Sequence, residues 1–183
     1  MLWLTPPQLE AVLAHSEQSG MHEACGLIGG IERNGLFSAI EVIPIPNDAA
    51  DPAHHFHMEE RALARTMMGF AARGLSLVGI YHSHPVSDPI PSQEDIRSAN
   101  YPGTPYLIVS RPGPNASCAV WDIHYGEVTA LPLYIGEVPP TPAELPPHQP
   151  KALPFVVMFS ALMAAALMLM LAFSLLPPAP LIP

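Results

Sequence analysis

The sequence predicts an α/β domain, a mixed β-sheet flanked by helices, followed by one C-terminal transmembrane helix. Three observations carry this. Residues 77–81 and 106–110 are short apolar runs with the β-branched and aromatic content of buried strands. Between such runs, apolar residues recur at helical spacing, first Leu9, Val12 and Leu13, then Leu63, Met67, Phe70 and Ala71. Finally, residues 155–176 are 22 positions without a charge or a proline. As a helix they would span about 33 Å at ~1.5 Å per residue, enough for a ~30 Å hydrocarbon core.

The first four residues are apolar but too short for the core of a signal peptide. Thr5-Pro6-Pro7-Gln8 opens a helix, with Thr5 as N-cap and Gln8 at the capping-box position, and Gly20 ends it. Residues 24–31 read as a strand with Glu23 at its start. Asn34-Gly35 is a hairpin turn, and residues 36–43 return, closed by Pro44, Pro46 and Asn47. Residues 47–57 form a loop holding His54, His55 and His57; with no cysteine framework beside them they read as solvated, with Phe56 as the loop's anchor to the core. Residues 59–73 are helical, with Glu59 and Glu60 at the positive end of the dipole and Gly74 as the stop. The strand at 77–81 follows, then a proline-rich loop and a helix from Ser92 to about Asn100. The strand at 106–110 comes next, and strands 119–123 and 128–135 form a hairpin about His124-Tyr125-Gly126.

This divides the chain into a domain at 1–136, a linker at 137–154 and the membrane helix at 155–176. The linker carries seven prolines and extends roughly 3 Å per residue where it is polyproline-like. Lys151, the only lysine, flanks the apolar run and places the domain in the cytoplasm by the positive-inside rule. The expected localisation is thus single-pass membrane. The formal net charge is −9, from 7 Lys+Arg against 16 Asp+Glu, which argues against nucleic acid as a partner. The two cysteines, Cys25 and Cys118, lack zinc-finger or Cys-x-x-Cys spacing and read as reduced core residues.

The chemistry concentrates where the central strand ends. His82 and His84 lie two apart, so on a strand both imidazoles face one way. After seven intervening residues, Ser92 opens the next helix and swings Asp95 back toward them. Two imidazoles and a carboxylate are a three-ligand zinc set that leaves a fourth position for water.

The string His82-x-His84, seven residues, Ser92-x-x-Asp95 resembles the JAMM, or MPN+, metalloprotease motif without departure in spacing. The same family has an upstream glutamate in a context like Glu23-Ala24-Cys25-Gly26-Leu27-Ile28. The resemblance spans about residues 5 to 135 and implies a JAMM/MPN, cytidine-deaminase-like fold. It implies Zn²⁺ on His82, His84 and Asp95, Glu23 as general base, and Ser92 as donor to the oxyanion of a tetrahedral intermediate. Ser92 reads equally as a plain helix N-cap, and the two roles would compete for one hydroxyl. Asp88 is a rival third ligand and Glu94 a rival base; the family spacing favours Asp95 and Glu23. The implied reaction is hydrolysis of a peptide or isopeptide bond after the C-terminal Gly-Gly of a ubiquitin-like or sulfur-carrier protein, here at the membrane. The chain is most similar to compact bacterial members. Two other readings are a non-catalytic MPN-type interaction scaffold, against which the full ligand set speaks, and a zinc hydrolase of small amides.

Overall fold

The computed structural model describes residues 1–110 and 116–141, with Met168 besides. The chain divides into two units, Met1–His148 and Gln149–Pro183, and the fold below is that of the first. Its elements in order are β1 (Leu2–Leu4), α1 (Pro6–Ser19), β2 (Cys25–Arg33), β3 (Leu36–Ile45), α2 (Glu60–Ala72), β4 (Ser76–His84), α3 (Gln93–Ser98), β5 (Tyr106–Ser110), β6 (Ser117–His124), β7 (Glu127–Leu131) and β8 (Leu133–Ile135).

Local chemistry sets most boundaries. Thr5 caps α1 through a capping box with Gln8, and Gly20 ends the helix at φ 63°. Asn34 and Gly35 both take positive φ, the conformation that a tight hairpin between β2 and β3 needs. Glu59 caps α2 by accepting from the backbone N–H groups of Arg61 and Ala62.

The eight strands form one sheet in the order β7-β6-β5-β4-β2-β3-β1-β8. It is mixed: β2 pairs antiparallel with β3 and β4, whereas β4 runs parallel to β5. Only Pro132 separates β7 from β8, which stand at opposite ends of that order, so the sheet curls until its two edges are chain neighbours. Leu2, Leu4, Val12, Ile28, Val78, Tyr81, Leu107 and Val109 fill the face that meets α1. Leu27, Ile45, Phe70, Ile80, Tyr106 and Ile123 fill the other, against α2 and α3.

Three strand expectations are revised. β1 was not expected; its three residues gain strand character only by pairing with β3 and β8. β3 continues through Pro44 to Ile45, because β1 covers its other side only at Phe37 and Ser38, and a proline is tolerated where no ladder donor is needed. Pro132 splits the expected strand at 128–135 into β7 and β8.

The transmembrane expectation is corrected. Among the described residues no helix is long and apolar enough to cross a membrane. The helices have 14, 13 and 6 residues, against the ~20 that a span requires. Residues 155–176 and most of the 137–154 linker lie outside the described residues. The fold class of the described residues is the mixed α/β sheet, and no described helix supports the expected single-pass membrane localisation.

Candidate metal centre

The site forms at the end of β4, on the face packed against α2 and α3. His82 and His84 share that face with Ile80, and both are buried. β2 runs antiparallel beside them with Cys25 across from His82. Continuing that register sets Glu23 across from His84. Ser83 points to the opposite face and fastens the two strands: its Oγ accepts from the Ala24 N–H at 2.8 Å, and its N–H donates to the Ala24 carbonyl at 2.9 Å.

Asp95 arrives from α3. Ser92 caps this helix by accepting from the Asp95 N–H at 3.1 Å, while the Ser92 N–H donates to Asp95 Oδ2 at 2.7 Å. The reciprocal pair turns the carboxylate inward. His82 Nε2 lies 3.4 Å from Asp95 Oδ1, His84 Nε2 lies 3.4 Å from Asp95 Oδ2, and the two Nε2 atoms are 3.2 Å apart. His82, His84 and Asp95 thus form a buried group able to hold a metal ion.

The separations test that fit. Ligand atoms about 2.0–2.1 Å from a tetrahedral ion stand roughly 3.3 Å from one another, close to all three distances here. The chemistry agrees. His84 Nδ1 lies 2.9 Å from the Asp88 carbonyl, which can only accept, so the proton sits on Nδ1 and Nε2 offers its lone pair. A second nitrogen facing it at 3.2 Å, beside a carboxylate, suits a shared cation.

Electrostatics follow the same layout. Burial disfavours charge on Asp95, but contacts with His82, His84 and Ser92 outweigh it and hold the carboxyl well below its ordinary range. Burial lowers the pKa of His82. Burial also opposes charge on His84, yet Asp95 and the Asp88 carbonyl raise its pKa overall. Glu23 is 6% exposed, and its Oε2 has no hydrogen-bond partner among the described residues. Burial pushes its pKa up to about 7, with Asp95 and Asp51 adding to the rise and His84 opposing it.

The loop between β4 and α3 is fastened through three consecutive carbonyls. Ser110 Oγ donates to Ser87 O, His84 Nδ1 to Asp88 O, and Trp121 Nε1 to Pro89 O at 2.8 Å. Asp88 therefore contributes its backbone oxygen, and its carboxylate is not in the group. Glu94 is turned outward to Arg97 at 2.6 Å and Ser98 at 3.1 Å. The thiol of Cys25 is pushed up to about 12, by burial and then by Glu23, which leaves it no nucleophilic role near neutral pH. His54 and His57 pair at the surface with Asp51 and Asp48, apart from the buried group. Phe56, expected to anchor its loop, stacks on the ring of His82 at 4.5 Å.

This arrangement can be compared with known proteins. Residues 5–124 match the family model described as prokaryotic homologs of the JAB domain. The chain belongs to this prokaryotic JAB family. A desampylase of Haloferax volcanii is 32% identical over 108 residues, 57% of this chain and 76% of the relative. A Thermus thermophilus protein named "Probable TtuB-protein conjugate cleaving protease" is 33% identical over 119 residues, covering 63% of this chain and 74% of that one. A CysO-cysteine peptidase of Mycobacterium tuberculosis is 27% identical over 130 residues, 70% of this chain and 87% of the peptidase. The solution structure of a Desulfitobacterium hafniense protein superposes with a TM-score of 0.69 at 33% identity, covering 75% of this chain and 94% of that one. The JAB assignment agrees with the compact bacterial type expected from the motif.

Asn47 and Ser83 are features of this JAB site that sequence reasoning missed. Asn47 read only as a strand-ending residue, and Ser83 as the spacer between two histidines. Alternation along β4 was the available signal for Ser83: a polar residue on the face opposite the ligands needs a buried partner.

Proposed function

We propose that residues 1–136 form a zinc peptidase that hydrolyses the peptide or isopeptide bond after the C-terminal Gly-Gly of a ubiquitin-like or sulfur-carrier protein. The observation that carries this reading is the buried His82–His84–Asp95 group with a carboxylate of raised pKa, Glu23, across from it in the β2–β4 register. The names of the relatives support the substrate class, since one is named a probable TtuB-protein conjugate cleaving protease and another a CysO-cysteine peptidase.

His82 Nε2, His84 Nε2 and the Asp95 carboxylate would hold the ion. Bound there, zinc supplies an acidified water and polarises a carbonyl oxygen. Glu23, poised near neutrality, takes a proton as carboxylate and returns it to the leaving amine nitrogen. Ser92 need not choose between two roles. Its Oγ accepts at the helix cap through a lone pair, and its O–H remains free to donate to the developing oxyanion.

The test is cleavage of a ubiquitin-like protein joined through its terminal glycine to a lysine, with zinc per chain measured alongside. Wild type should carry one zinc and cleave. His82→Ala should carry little zinc, and Glu23→Ala should load zinc but not cleave. A zinc-loaded wild type that turns over small amides and never the conjugate would sink the substrate assignment.

A further inference from the structure

Asn47 lies on the segment between β3 and α2, and its carboxamide makes four hydrogen bonds. Nδ2 donates to the Glu23 carbonyl at 2.9 Å and to the His55 carbonyl at 3.0 Å. Oδ1 accepts from the N–H of Ala49 at 3.0 Å and of His57 at 2.9 Å. Two donors and two acceptor positions are the capacity of this side chain, and all are used.

The partners fall in two places. One is the backbone of Glu23, whose N–H is fixed separately by the Pro52 carbonyl at 2.7 Å. The others lie in the loop of Asn47 itself: Ala49 two residues on, and His55 and His57 on either side of Phe56. Phe56 lies against the ring of His82, 4.5 Å between centroids and 23° from parallel. That contact matters because the two histidines are held differently. A metal-binding imidazole is ordinarily oriented by a hydrogen bond from its other nitrogen. His84 has one, to Asp88 O. His82 Nδ1 is buried with no partner among the described residues. Away from its Nε2 contacts, the plane of His82 rests on the stacking ring, and that ring is seated by Asn47 together with the Asp48 N–H, which donates to the His57 carbonyl at 2.8 Å.

We propose that Asn47 is a positioning residue that ties Glu23 and, through Phe56, the ring of His82 to one another. This rests on the metal-centre reading above. One amide then couples the alignment of the base to that of a ligand, although it touches neither reacting group.

The test uses the full chain loaded with cobalt(II), whose affinity is read by chelator competition and whose visible bands report ligand geometry. Asn47→Ala should bind cobalt about 10–100-fold more weakly, with an altered band pattern. Asn47→Asp keeps the acceptor oxygen but puts a second oxygen in place of the donating NH2, facing two carbonyls, and should weaken binding within threefold of Asn47→Ala. Phe56→Ala should reproduce the loss, and the double variant should be no weaker than Phe56→Ala alone, because the two act in series. Gly35→Ala, strained at the φ +80° hairpin position at the far end of β2, supplies a destabilised control that should bind cobalt as wild type does. The proposal is overturned if Asn47→Ala binds within twofold of wild type, if Asn47→Asp binds as wild type, if Gly35→Ala weakens binding equally, or if the double variant is additive. A wild type that takes up no cobalt would instead refute the metal-centre reading, and this inference with it.

Discussion

Replacing Glu23 with glutamine should make the metal-stripped domain less sensitive to pH. In the folded chain Glu23 titrates near 7, against an ordinary value of 4.5, chiefly because burial penalises its charge. The fold thus favours the protonated carboxyl. This contribution is fully present below pH 4.5 and is lost as pH rises through 7. At 1.36 kcal/mol per unit, the 2.5-unit difference amounts to about 3 kcal/mol between pH 4.5 and 8, or about 10 °C in melting temperature for a domain of this size. Glutamine fills the same space and carries no charge to desolvate. His84, whose pKa Glu23 helps to raise, loses that contribution in Glu23→Gln, so the measured difference reports the Glu23–His84 pair. Urea unfolding of wild type and Glu23→Gln, in chelator across this pH range, gives the difference directly. Parallel curves would refute the reasoning. Saturating zinc should shrink the divergence, since a cation beside Glu23 favours its charged form.

Other substitutions separate roles that the site combines. Ser92→Gly should cost only a few tenths of a kcal/mol of cap energy yet lower kcat by about 10²–10³ on a Gly-Gly conjugate; a normal kcat would leave Ser92 as a cap alone. Asp95→Ala should leave two buried imidazoles without their carboxylate and abolish stoichiometric zinc, measured by atomic absorption. Gly26→Ala would place a methyl within 2.4 Å of the Tyr81 ring and 2.5 Å of the Ile43 carbonyl, and should destabilise the fold by about 1–3 kcal/mol in urea titration. Ser83→Ala strips the buried Ala24 N–H of its acceptor and should cost about 1–3 kcal/mol in the same assay.

The site was legible in the sequence to the extent that its geometry is local. His82 and His84 fall on one face by strand alternation alone, and Ser92 orients Asp95 within a single helical turn. Glu23 needed the second motif, because the pairing that brings it across from His84 joins residues 61 positions apart. Asn47 was not legible: asparagine after Pro-Ile-Pro reads as turn chemistry, and its bond to the Glu23 carbonyl exists only once the loop closes on the start of β2. β1 was missed for a similar reason, since three apolar residues have no periodicity and become a strand only through their partners. The expected membrane helix at 155–176 falls outside the described residues, and among the described residues no helix is long and apolar enough to cross a membrane.

The loop between β4 and α3 is gripped entirely by its main chain. Three neighbouring carbonyls, of Ser87, Asp88 and Pro89, receive side-chain hydrogen bonds from Ser110, His84 and Trp121, all outside the loop, and the Ile90 N–H adds a bond to Asp88 O from within it. Its own side chains at Val86 and Ile90 project into solvent. Substitutions at those two positions should therefore leave the course of the loop, and with it the placement of His84 and Asp95 at its two ends, unchanged.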